Sequence, residues 1–415
     1  MIGAVERELL LTEADRDTRI HVVEVLEATA GGTRTHLLHL LGGLDPKRFR
    51  VSLIASRRRN PDFSRDIAAL RAAGVRTIDI PMGRRIAPWR DAIALAKLVA
   101  ALRELQPDVV HTHASKAGIL GRAAAWLCGI RRVVHTPHVY YFEGKAGLSR
   151  RVFQLVERIA QPLASKVVLL SPAQRALASA ELGAPARRTV VAPNGVDTVH
   201  FSPRGRRAEA RRRFGLPPDA VVIGAISRFR PQKACDFLLR ALAEVFAEIP
   251  DARCLLIGDG PLRDDLMALG GRLGVRDHVV WKDFVSDPRD AYEAMDVFAM
   301  SSVYEGMPYT ILEAMSMSLP VVATRIPGCA ALVRHGVTGL LAEPGDPAEL
   351  ARALVQVLRD PKRGRAMGAA GRRRVEDRYT LDRFIARMQA LYETEARRGI
   401  EVPTPAAKSR ASWYH

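Results

Sequence analysis

Short segments rich in valine and isoleucine alternate with longer helical patterns along most of this chain. The alternation predicts parallel β-sheets covered by helices on both faces, because each parallel strand needs a crossover helix before the next one. The strand-like segments of the first half are residues 20–26, 51–55, 77–80, 109–112, 133–136, 167–170 and 189–192. The second half repeats the scheme at residues 221–226, 253–257, 279–281, 297–300, 321–323 and 339–342.

A stretch interrupted by prolines and glycines separates the two halves. A chain of 415 residues is long enough for two α/β domains, each with its own core. Because ligands bind beyond the carboxyl ends of parallel strands, we expect the site in the crevice between the halves. The predicted divisions are a disordered tail at 1–18, an N-terminal domain at 19–200, a linker at 201–218, a C-terminal domain at 219–378, a helix at 379–398 and a disordered tail at 399–415.

The chain is strongly basic, with 63 Lys and Arg against 45 acidic residues and a formal net charge of +18. Such a surface attracts nucleic acid, anionic lipid or anionic small molecules. The sequence lacks the zinc-ligand spacing, RNA-binding aromatic strand and basic zipper region that would favour nucleic acid. Basic clusters in the first half favour an anionic surface or acceptor on that side; they lie at residues 57–59, 84–85, 131–132 and 150–151.

Targeting signals and cysteines predict a cytoplasmic protein. No run of eighteen uncharged apolar residues occurs, and the first residues are acidic instead of basic and then apolar. The four cysteines have no metal spacing, which is typical of buried free thiols in a reducing compartment; they are Cys128, Cys235, Cys254 and Cys329.

Residues 305–313, Glu-Gly-Met-Pro-Tyr-Thr-Ile-Leu-Glu, carry the strongest chemical signal. Glu305 stands in a loop after a strand, and Glu313 stands one to two turns into the next helix. Pro308 fits the first helical position, so that the N–H groups before and after it face outward and suit a phosphate. The glutamates suit the hydroxyls of a sugar. The segment predicts a nucleotide-sugar site; the alternative is an ordinary strand–loop–helix with solvated glutamates.

Three further segments stand at strand ends. Arg228 and Lys233 could clamp a diphosphate and neutralise its charge as it leaves, although two surface cations in a loop would look the same. The glycines of the segment 258–260 would admit a flat ligand close to the backbone. Gly31 and Gly32 would do the same at the first strand–helix turn, where a packing turn is equally consistent with the pattern.

Four histidines, His111, His113, His135 and His138, also stand at strand ends. No carboxylate or cysteine accompanies them at ligand spacing in the sequence, so we predict no metal site and favour a histidine that hydrogen-bonds a hydroxyl at the edge of the cleft. The Asp-x-Asp pair at Asp15 and Asp17 lies in the polar N-terminal tail and is a poor candidate for a metal–diphosphate ligand.

Taken in order, these motifs resemble the retaining glycosyltransferases of the GT-B fold. The resemblance is to the large glycosyltransferase family 4-like group, which is the family of sucrose synthase and of enzymes of bacterial polysaccharide biosynthesis. The resemblance covers about residues 20–391 and includes Pro-Asn-Gly-Val-Asp at 193–197 and Val-Val-His-Thr-Pro-His at 133–138. It implies two Rossmann-like α/β domains that face each other across a cleft, with a C-terminal helix returning to the N-terminal domain. One departure is Ala234, where the family usually has glycine after the lysine.

The resemblance also implies a role for each site residue. Arg228 and Lys233 would bind the diphosphate, Glu313 the ribose and Glu305 the donor sugar, while His138 would lie beside that sugar. The catalytic candidates are His138, Glu305, Arg228 and Lys233. The donor-binding candidates are Gly31, Gly32, Arg228, Lys233, Gly258, Gly260, Phe284, Gly306, Met307, Pro308, Tyr309 and Glu313.

The implied reaction is a metal-independent sugar transfer with retention at the anomeric carbon. The donor would be a UDP- or GDP-sugar serving as substrate, with no cofactor. The acceptor would be a glycan or a lipid-linked glycan, because the first half resembles enzymes of capsule and exopolysaccharide assembly, in which the acceptor is often a lipid-linked sugar. The alternatives are a GT-B nucleotide-sugar epimerase and, less in keeping with the site residues, a basic nucleic-acid-binding protein.

The segment 147–159 can form an amphipathic helix with an apolar stripe and several arginines. Packing of that stripe on the parallel sheet is the ordinary arrangement in an α/β protein. Docking of the helix on the cytoplasmic face of an anionic membrane, without spanning it, is the other interpretation. The residues of the stripe are Leu148, Val152, Leu155, Val156 and Ile159.

Overall fold

The computed structural model describes residues 17–60, 63–83 and 85–398. The predicted tails, apart from residues 17 and 18, therefore lie outside the described residues, as do Asp15 and Arg84 of the motifs named above.

The first half forms a seven-stranded parallel sheet in the order β3-β2-β1-β4-β5-β6-β7. Its strands are β1 (Ile20–Leu26), β2 (Phe49–Ala55), β3 (Arg76–Asp79), β4 (Val109–His113), β5 (Val133–Thr136), β6 (Lys166–Leu169) and β7 (Thr189–Val191). The helices between them are α1 (Gly32–Gly43), α2 (Phe63–Ala72), α3 (Pro88–Leu105), α4 (Lys116–Leu127), α5 (Gly147–Ala160) and α6 (Pro172–Leu182). Most strand residues are buried because helices cover both faces of the sheet.

The second half forms a six-stranded parallel sheet in the order β10-β9-β8-β11-β12-β13. Its strands are β8 (Val221–Ile226), β9 (Ala252–Ile257), β10 (Val279–Lys282), β11 (Val297–Met300), β12 (Val321–Thr324) and β13 (Gly339–Ala342). Its helices are α8 (Cys235–Glu248), α9 (Arg263–Arg272), α10 (Arg289–Ala294), α11 (Tyr309–Ser316), α12 (Pro327–Ala330) and α13 (Pro347–Arg359). The predicted α/β class and the two Rossmann-like halves are confirmed.

The predicted linker at 201–218 contains a helix, α7 (Arg207–Phe214). Phe214 and Ala210 are buried in the core of the second half, and Arg211 donates from Nη2 to Asp296 at 2.7 Å. The stretch therefore belongs structurally to the second half. Sequence reasoning missed the helix because four of its eight residues are arginines, which obscure the apolar periodicity.

The chain ends with two long helices, α14 (Pro361–Arg378) and α15 (Leu381–Arg397). The break between them falls at Tyr379 and Thr380, as predicted, and Thr380 caps α15 by accepting from the backbone N–H of Arg383. Helix α15 packs its apolar face on the first half, where Phe384, Met388 and Tyr392 are fully buried against strands β1, β4 and β5. The predicted return of the last helix to the N-terminal domain is confirmed.

Helix α5 does not bury its apolar stripe. Leu148, Val152, Leu155 and Ile159 are 77%, 49%, 56% and 68% exposed. Packing of the stripe on the sheet is thus wrong for these four side chains. Polar residues help to hold the helix, since Arg150 pairs with Glu181 and Glu157 pairs with the buried Arg122. Phe153 of the same helix packs against the core of the first half.

Two other expectations concern the membrane and the cysteines. Among the described residues, none of the helices is both long and apolar enough to cross a membrane. All four cysteines are free; Cys235, Cys254 and Cys329 are buried, whereas Cys128 is only partly so.

Candidate active site

Each sheet reverses its strand order at one point, between β1 and β4 in the first half and between β8 and β11 in the second. The carboxyl ends of strands at such a point open a crevice that binds ligands. The predicted site motifs follow these four strand ends. The glycine turn follows β1, His113 ends β4, Arg228 follows β8 and Glu305 follows β11.

Lys233 and Glu305 form an ion pair beyond β8 and β11, with the ammonium group donating to Oε1 of Glu305. The side chains are only 20% and 9% exposed. The two loops are joined again by Gln232, whose Nε2 donates to the carbonyl oxygen of Tyr304 at 2.9 Å. A cation and a carboxylate are thus held together at the edge of the cleft.

Ala234 has a φ of 45°, in the left-handed region that favours glycine, where an L-residue with a Cβ atom pays about 1–2 kcal/mol. The departure from the family pattern therefore adds local strain beside Lys233. The loop continues directly into α8, whose first residue is Cys235.

The glycine turn of the first half lies against the second half. A Cβ on Gly31 would be 3.6 Å from Cδ of Arg228, and a Cβ on Gly32 would be 3.4 Å from Cδ2 of Tyr309. Gly31 has a φ of 65°, which favours glycine. The structure therefore brings these four sequence-predicted residues together across the cleft.

Gly258 and Gly260 are glycines for a reason that the sequence did not show. A Cβ on Gly258 would lie 1.8 Å from the carbonyl oxygen of Ser227, and one on Gly260 would lie 2.5 Å from that of Phe229. The space beside both glycines is thus filled by the loop after β8, so close packing of two loops accounts for them without a flat ligand. They still lie at the carboxyl end of β9.

Helix α11 begins at Tyr309, and Pro308 is its N-cap residue, with an extended ψ of 123°, instead of its first helical residue as predicted. Proline at this position gives up no hydrogen bond, because the N–H groups of the first turn have no intrahelical acceptor. Asn194 of the first half donates from Nδ2 to the carbonyl oxygen of Met307 at 3.0 Å. That contact ties the Pro-Asn-Gly motif to the start of the helix.

Glu313 lies between two buried tyrosines. The hydroxyl of Tyr292 donates to its Oε2 at 2.7 Å, and Tyr309 lies close enough for Glu313 to raise the pKa of its phenol. Burial raises the pKa of Glu313 to about 7, against a smaller opposing effect of the Tyr292 hydroxyl. The carboxyl group therefore changes its protonation state near neutral pH.

Phe284 is 66% exposed and follows β10, the edge strand of the second sheet. Its position is at the same end of the sheet as the other site residues, two strands away from Arg228.

His138 stands in a strained turn after β5, with a φ of 58°. Its carbonyl oxygen accepts from Nε2 of Gln174 at 3.0 Å, and a Cβ on Gly306 would lie 1.8 Å from that oxygen. Only glycine allows the second half to approach His138 this closely. The structure thus places His138 and the 305–308 loop side by side.

The other three histidines of the predicted cluster lie inside the first half. His111 and His113 are 0% exposed and His135 is 1% exposed, so none of these three is the histidine predicted at the edge of the cleft. A carboxylate does accompany them: Glu24 of β1 lies 2.6 Å from Nε2 of His113. Sequence reasoning missed it, although a single acid within the apolar strand Ile20–Leu26 was a signal.

Two overlapping groups of this cluster have ligand atoms within 4.8 Å of one another, the spacing that a metal ion would need. One group is Glu24, His111 and His113, and the other is His36, His113 and His138. Both ring nitrogens of His111 and of His113 are engaged in hydrogen bonds, as are Nε2 of His138 and Nδ1 of His36. Nε2 of His36 is buried without a partner.

Comparison with known proteins agrees with this architecture. Residues 220–360 match the family described as glycosyl transferases group 1, and residues 31–195 match a glycosyl transferase 4-like domain. The chain belongs to this family of glycosyltransferases. It is 31% identical over 324 residues to the UDP-Gal:alpha-D-GlcNAc-diphosphoundecaprenol alpha-1,3-galactosyltransferase of Escherichia coli, which covers 77% of this chain and 84% of that protein.

Two further similarities are more distant. The capsular polysaccharide biosynthesis glycosyltransferase CapM of Staphylococcus aureus is 25% identical over 76% of this chain and 84% of its own length. Among solved structures, Anabaena Alr3699/HepE in complex with UDP and glucose superposes with a TM-score of 0.77, 22% identity and coverage of 91% of this chain and 100% of that one. The predicted GT-B fold is thereby confirmed.

We expect Gly306→Ala to lower sugar transfer by roughly a hundredfold, because the clash with the His138 carbonyl is relieved by moving the two halves slightly apart and misaligning the reactants. Turnover and the melting temperature would be measured together, and the melting temperature should change little. Gly271→Ala, with nothing within 4 Å of the added Cβ, is the control. Unchanged turnover in Gly306→Ala would show that the close approach is not needed for catalysis.

Proposed function

We propose that this glycosyltransferase moves a sugar from a UDP- or GDP-sugar to a hydroxyl of a lipid-linked glycan, with retention at the anomeric carbon and without a metal or cofactor. The observation that carries the proposal is the meeting of Lys233, Glu305 and Arg228 with Gly31 and the His138 turn across the cleft. Positive charge at the strand ends of one half suits a diphosphate.

The chemical step breaks the bond between the anomeric carbon and the phosphate oxygen, and the electron pair leaves with the diphosphate. Arg228, Lys233 and the N-terminus of α11 stabilise that developing charge. The acceptor oxygen bonds to the same face of the anomeric carbon, and its proton passes to the departing phosphate. The reaction in this form needs no side chain as nucleophile.

Glu305 accepts a hydrogen bond from the ammonium group of Lys233. When a diphosphate is bound, Lys233 can turn to it while Glu305 accepts from a sugar hydroxyl, since a carboxylate offers only acceptors. The pairing thus places the ammonium group at the edge of the cleft before the donor arrives.

The proposed acceptor rests on the relatives. The E. coli galactosyltransferase described above acts, by its name, on a sugar linked to diphosphoundecaprenol. A mannosyltransferase of Mycobacterium tuberculosis, 30% identical over 86% of this chain and 93% of its own length, acts by its name on a phosphatidylinositol monomannoside. Both acceptors are anchored in a lipid phase, which agrees with the exposed apolar stripe of α5.

Docking of the first half at the cytoplasmic face of an anionic membrane is part of the proposal. Besides the four exposed apolar side chains of α5, Trp126 at the end of the neighbouring helix α4 is 51% exposed. Exposed arginines flank this surface at Arg131 and Arg151. An interfacial helix gains from the insertion of such side chains, and each nearby basic residue adds about 1 kcal/mol on an anionic surface.

Removal of either cation should cripple transfer. We expect Lys233→Ala and Arg228→Ala each to lower kcat by roughly 100- to 1000-fold, because the departing diphosphate loses a charge-assisted contact. Thermal stabilisation against a panel of UDP-, GDP- and ADP-sugars would first identify the donor, and steady-state kinetics would follow. Arg240→Ala, on the exposed side of α8, is the matched control. Near-normal turnover in both site variants would refute the assignment.

Donor affinity should rise with pH through about 7. Glu313 is protonated below its raised pKa of about 7 and ionised above it, and only the ionised form accepts both hydrogens of a ribose diol. The dissociation constant of the donor, measured by calorimetry from about pH 6 to about pH 8, should therefore fall.

In Glu313→Gln the donor should bind more weakly and with a flat pH dependence, because the amide does not titrate. Glu305→Gln should instead lower kcat more than it changes donor affinity, since that carboxylate lies at the reacting end of the site. A steep pH dependence that persists in Glu313→Gln would assign the titration to another group.

Co-sedimentation with vesicles tests the membrane surface. Binding should increase with the fraction of anionic lipid and decrease with salt, because exposed charges are screened over about 10 Å at 0.1 M ionic strength. The variant Leu155→Ser with Ile159→Ser should bind several-fold more weakly, whereas Met267→Ser, an exposed apolar residue of the second half, should bind normally. A protein that stays in the supernatant with anionic vesicles at low salt would favour a soluble acceptor.

A further inference from the structure

A chain of buried polar groups leads from the centre of the first sheet to the cleft. Glu24 of β1 is 0% exposed, and its Oε2 lies 2.6 Å from Nε2 of His113. On the other side of the His113 ring, Nδ1 lies 3.2 Å from Nε2 of His138. Buried ionisable groups are costly unless each hydrogen-bonding atom has a partner.

We propose that Glu24 and His113 are positioning residues that fix the tautomer of His138, so that its Nδ1 is presented to the cleft as a hydrogen-bond acceptor for a hydroxyl of the donor sugar. The inference rests on the function proposed above, which supplies the sugar.

The assignment starts at Glu24, which acts only as an acceptor. Its Oε1 accepts from the hydroxyl of Tyr392 at 2.8 Å, so this oxygen is used by α15. Burial alone would raise the pKa of Glu24, but the neighbouring His111 and His113 hold it well below its usual range. An ionised carboxylate has no hydrogen to donate, so the short contact with His113 requires a hydrogen on Nε2 of His113.

The next link is His113. Burial, reinforced by His111, lowers its pKa to about 4 despite the carboxylate beside it, so the ring is neutral near pH 7 and carries a single hydrogen. That hydrogen is on Nε2. The opposite nitrogen, Nδ1, therefore has a lone pair, and the 3.2 Å contact with His138 is a hydrogen bond only if Nε2 of His138 donates.

The last link is His138. Burial and the surrounding histidines hold the pKa of His138 well below its usual range, so this ring is neutral as well. With its hydrogen on Nε2, it has a bare Nδ1. No described residue forms a hydrogen bond with this Nδ1. The atom is also absent from the set of buried polar atoms that have no partner, so it is accessible from outside. His138 as a whole is 9% exposed.

The surroundings prevent the ring from turning over. His36 packs edge-on against His138 with ring centroids 4.6 Å apart, and His36 is itself held by Oδ1 of Asn194 at 2.9 Å from its Nδ1. The backbone of His138 is fixed by Gln174 on one side and Gly306 on the other. A bare Nδ1 on His138 would be less suited to a ligand group that can only accept, such as a sugar carboxylate. The Nδ1 atom and the carboxylate oxygen would then face each other as two acceptors.

Nuclear magnetic resonance of protein labelled with ¹⁵N-histidine reads the tautomers directly, because protonated and bare ring nitrogens have separate chemical shifts. Signals would be assigned with His113→Gln and His138→Ala. We expect a hydrogen on Nε2 and a bare Nδ1 in both rings. Glu24→Gln should move a large share of His138 to the opposite tautomer, because an amide can donate to His113. Tyr392→Phe keeps the Glu24–His113 contact and should leave the tautomers unchanged.

Kinetics with the donor identified in the thermal panel separate this role from a structural one. Glu24→Gln should lower kcat about tenfold or more in the wild-type background and have no further effect in the His138→Ala background. Equal losses in both backgrounds, or an unchanged His138 tautomer in Glu24→Gln, would overturn the proposal.

Metal analysis supplies a further decisive outcome. One equivalent of zinc in the purified protein, with histidine signals that change on chelation, would make the facing nitrogens of His113 and His138 ligands and would also overturn the relay. If the wild-type protein uses no donor, the proposed function fails. The NMR measurement of the His113 and His138 tautomers needs no donor, so it tests the positioning role separately.

Discussion

The cleft depends on the packing of α15, the last helix, against the first half. The chain leaves the second sheet through α14, turns at Thr380, and buries Phe384, Met388 and Tyr392 among strands of the first sheet. Hydrophobic burial of three large side chains is worth several kcal/mol. Because the second half is thereby held opposite the first, the carboxyl ends of the two sheets face each other, and the short loops at those ends can meet.

The same helix also contributes a polar group to the interior. The Tyr392 hydroxyl donates to Glu24, so one residue of α15 is both part of the apolar contact and a partner of a buried carboxylate. A buried charge is tolerated only when its hydrogen bonds are complete, which makes the arrangement of Glu24, His113 and His138 sensitive to the docking of α15. The fold thus couples its long-range packing to a histidine at the edge of the cleft.

At the meeting point the two halves approach each other closely at glycines. Gly306 lies against the carbonyl of His138, and Gly31 lies against the side chain of Arg228. The absence of a Cβ atom at these positions allows the close approach. Arg150, paired with Glu181, and the exposed apolar side chains of α5 occupy the outer side of the first half.

The sequence by itself determined the class of fold, the break at Tyr379 and the loops that carry the site, because each follows from a local pattern: strand and helix periodicity, proline and glycine positions, and charged residues at strand ends. Helix α7 escaped this reasoning because its arginines hide its apolar face.

Only the tertiary structure decided which groups meet. Glu24 lies 89 residues from His113 and 368 from Tyr392, so no local pattern could reveal that one carboxylate joins a histidine cluster and the last helix. The glycines at 258, 260 and 306 likewise owe their identity to backbone atoms of distant loops. The α5 stripe has the periodicity of a buried face, yet it is exposed, because periodicity shows which side chains share a face and not what covers them.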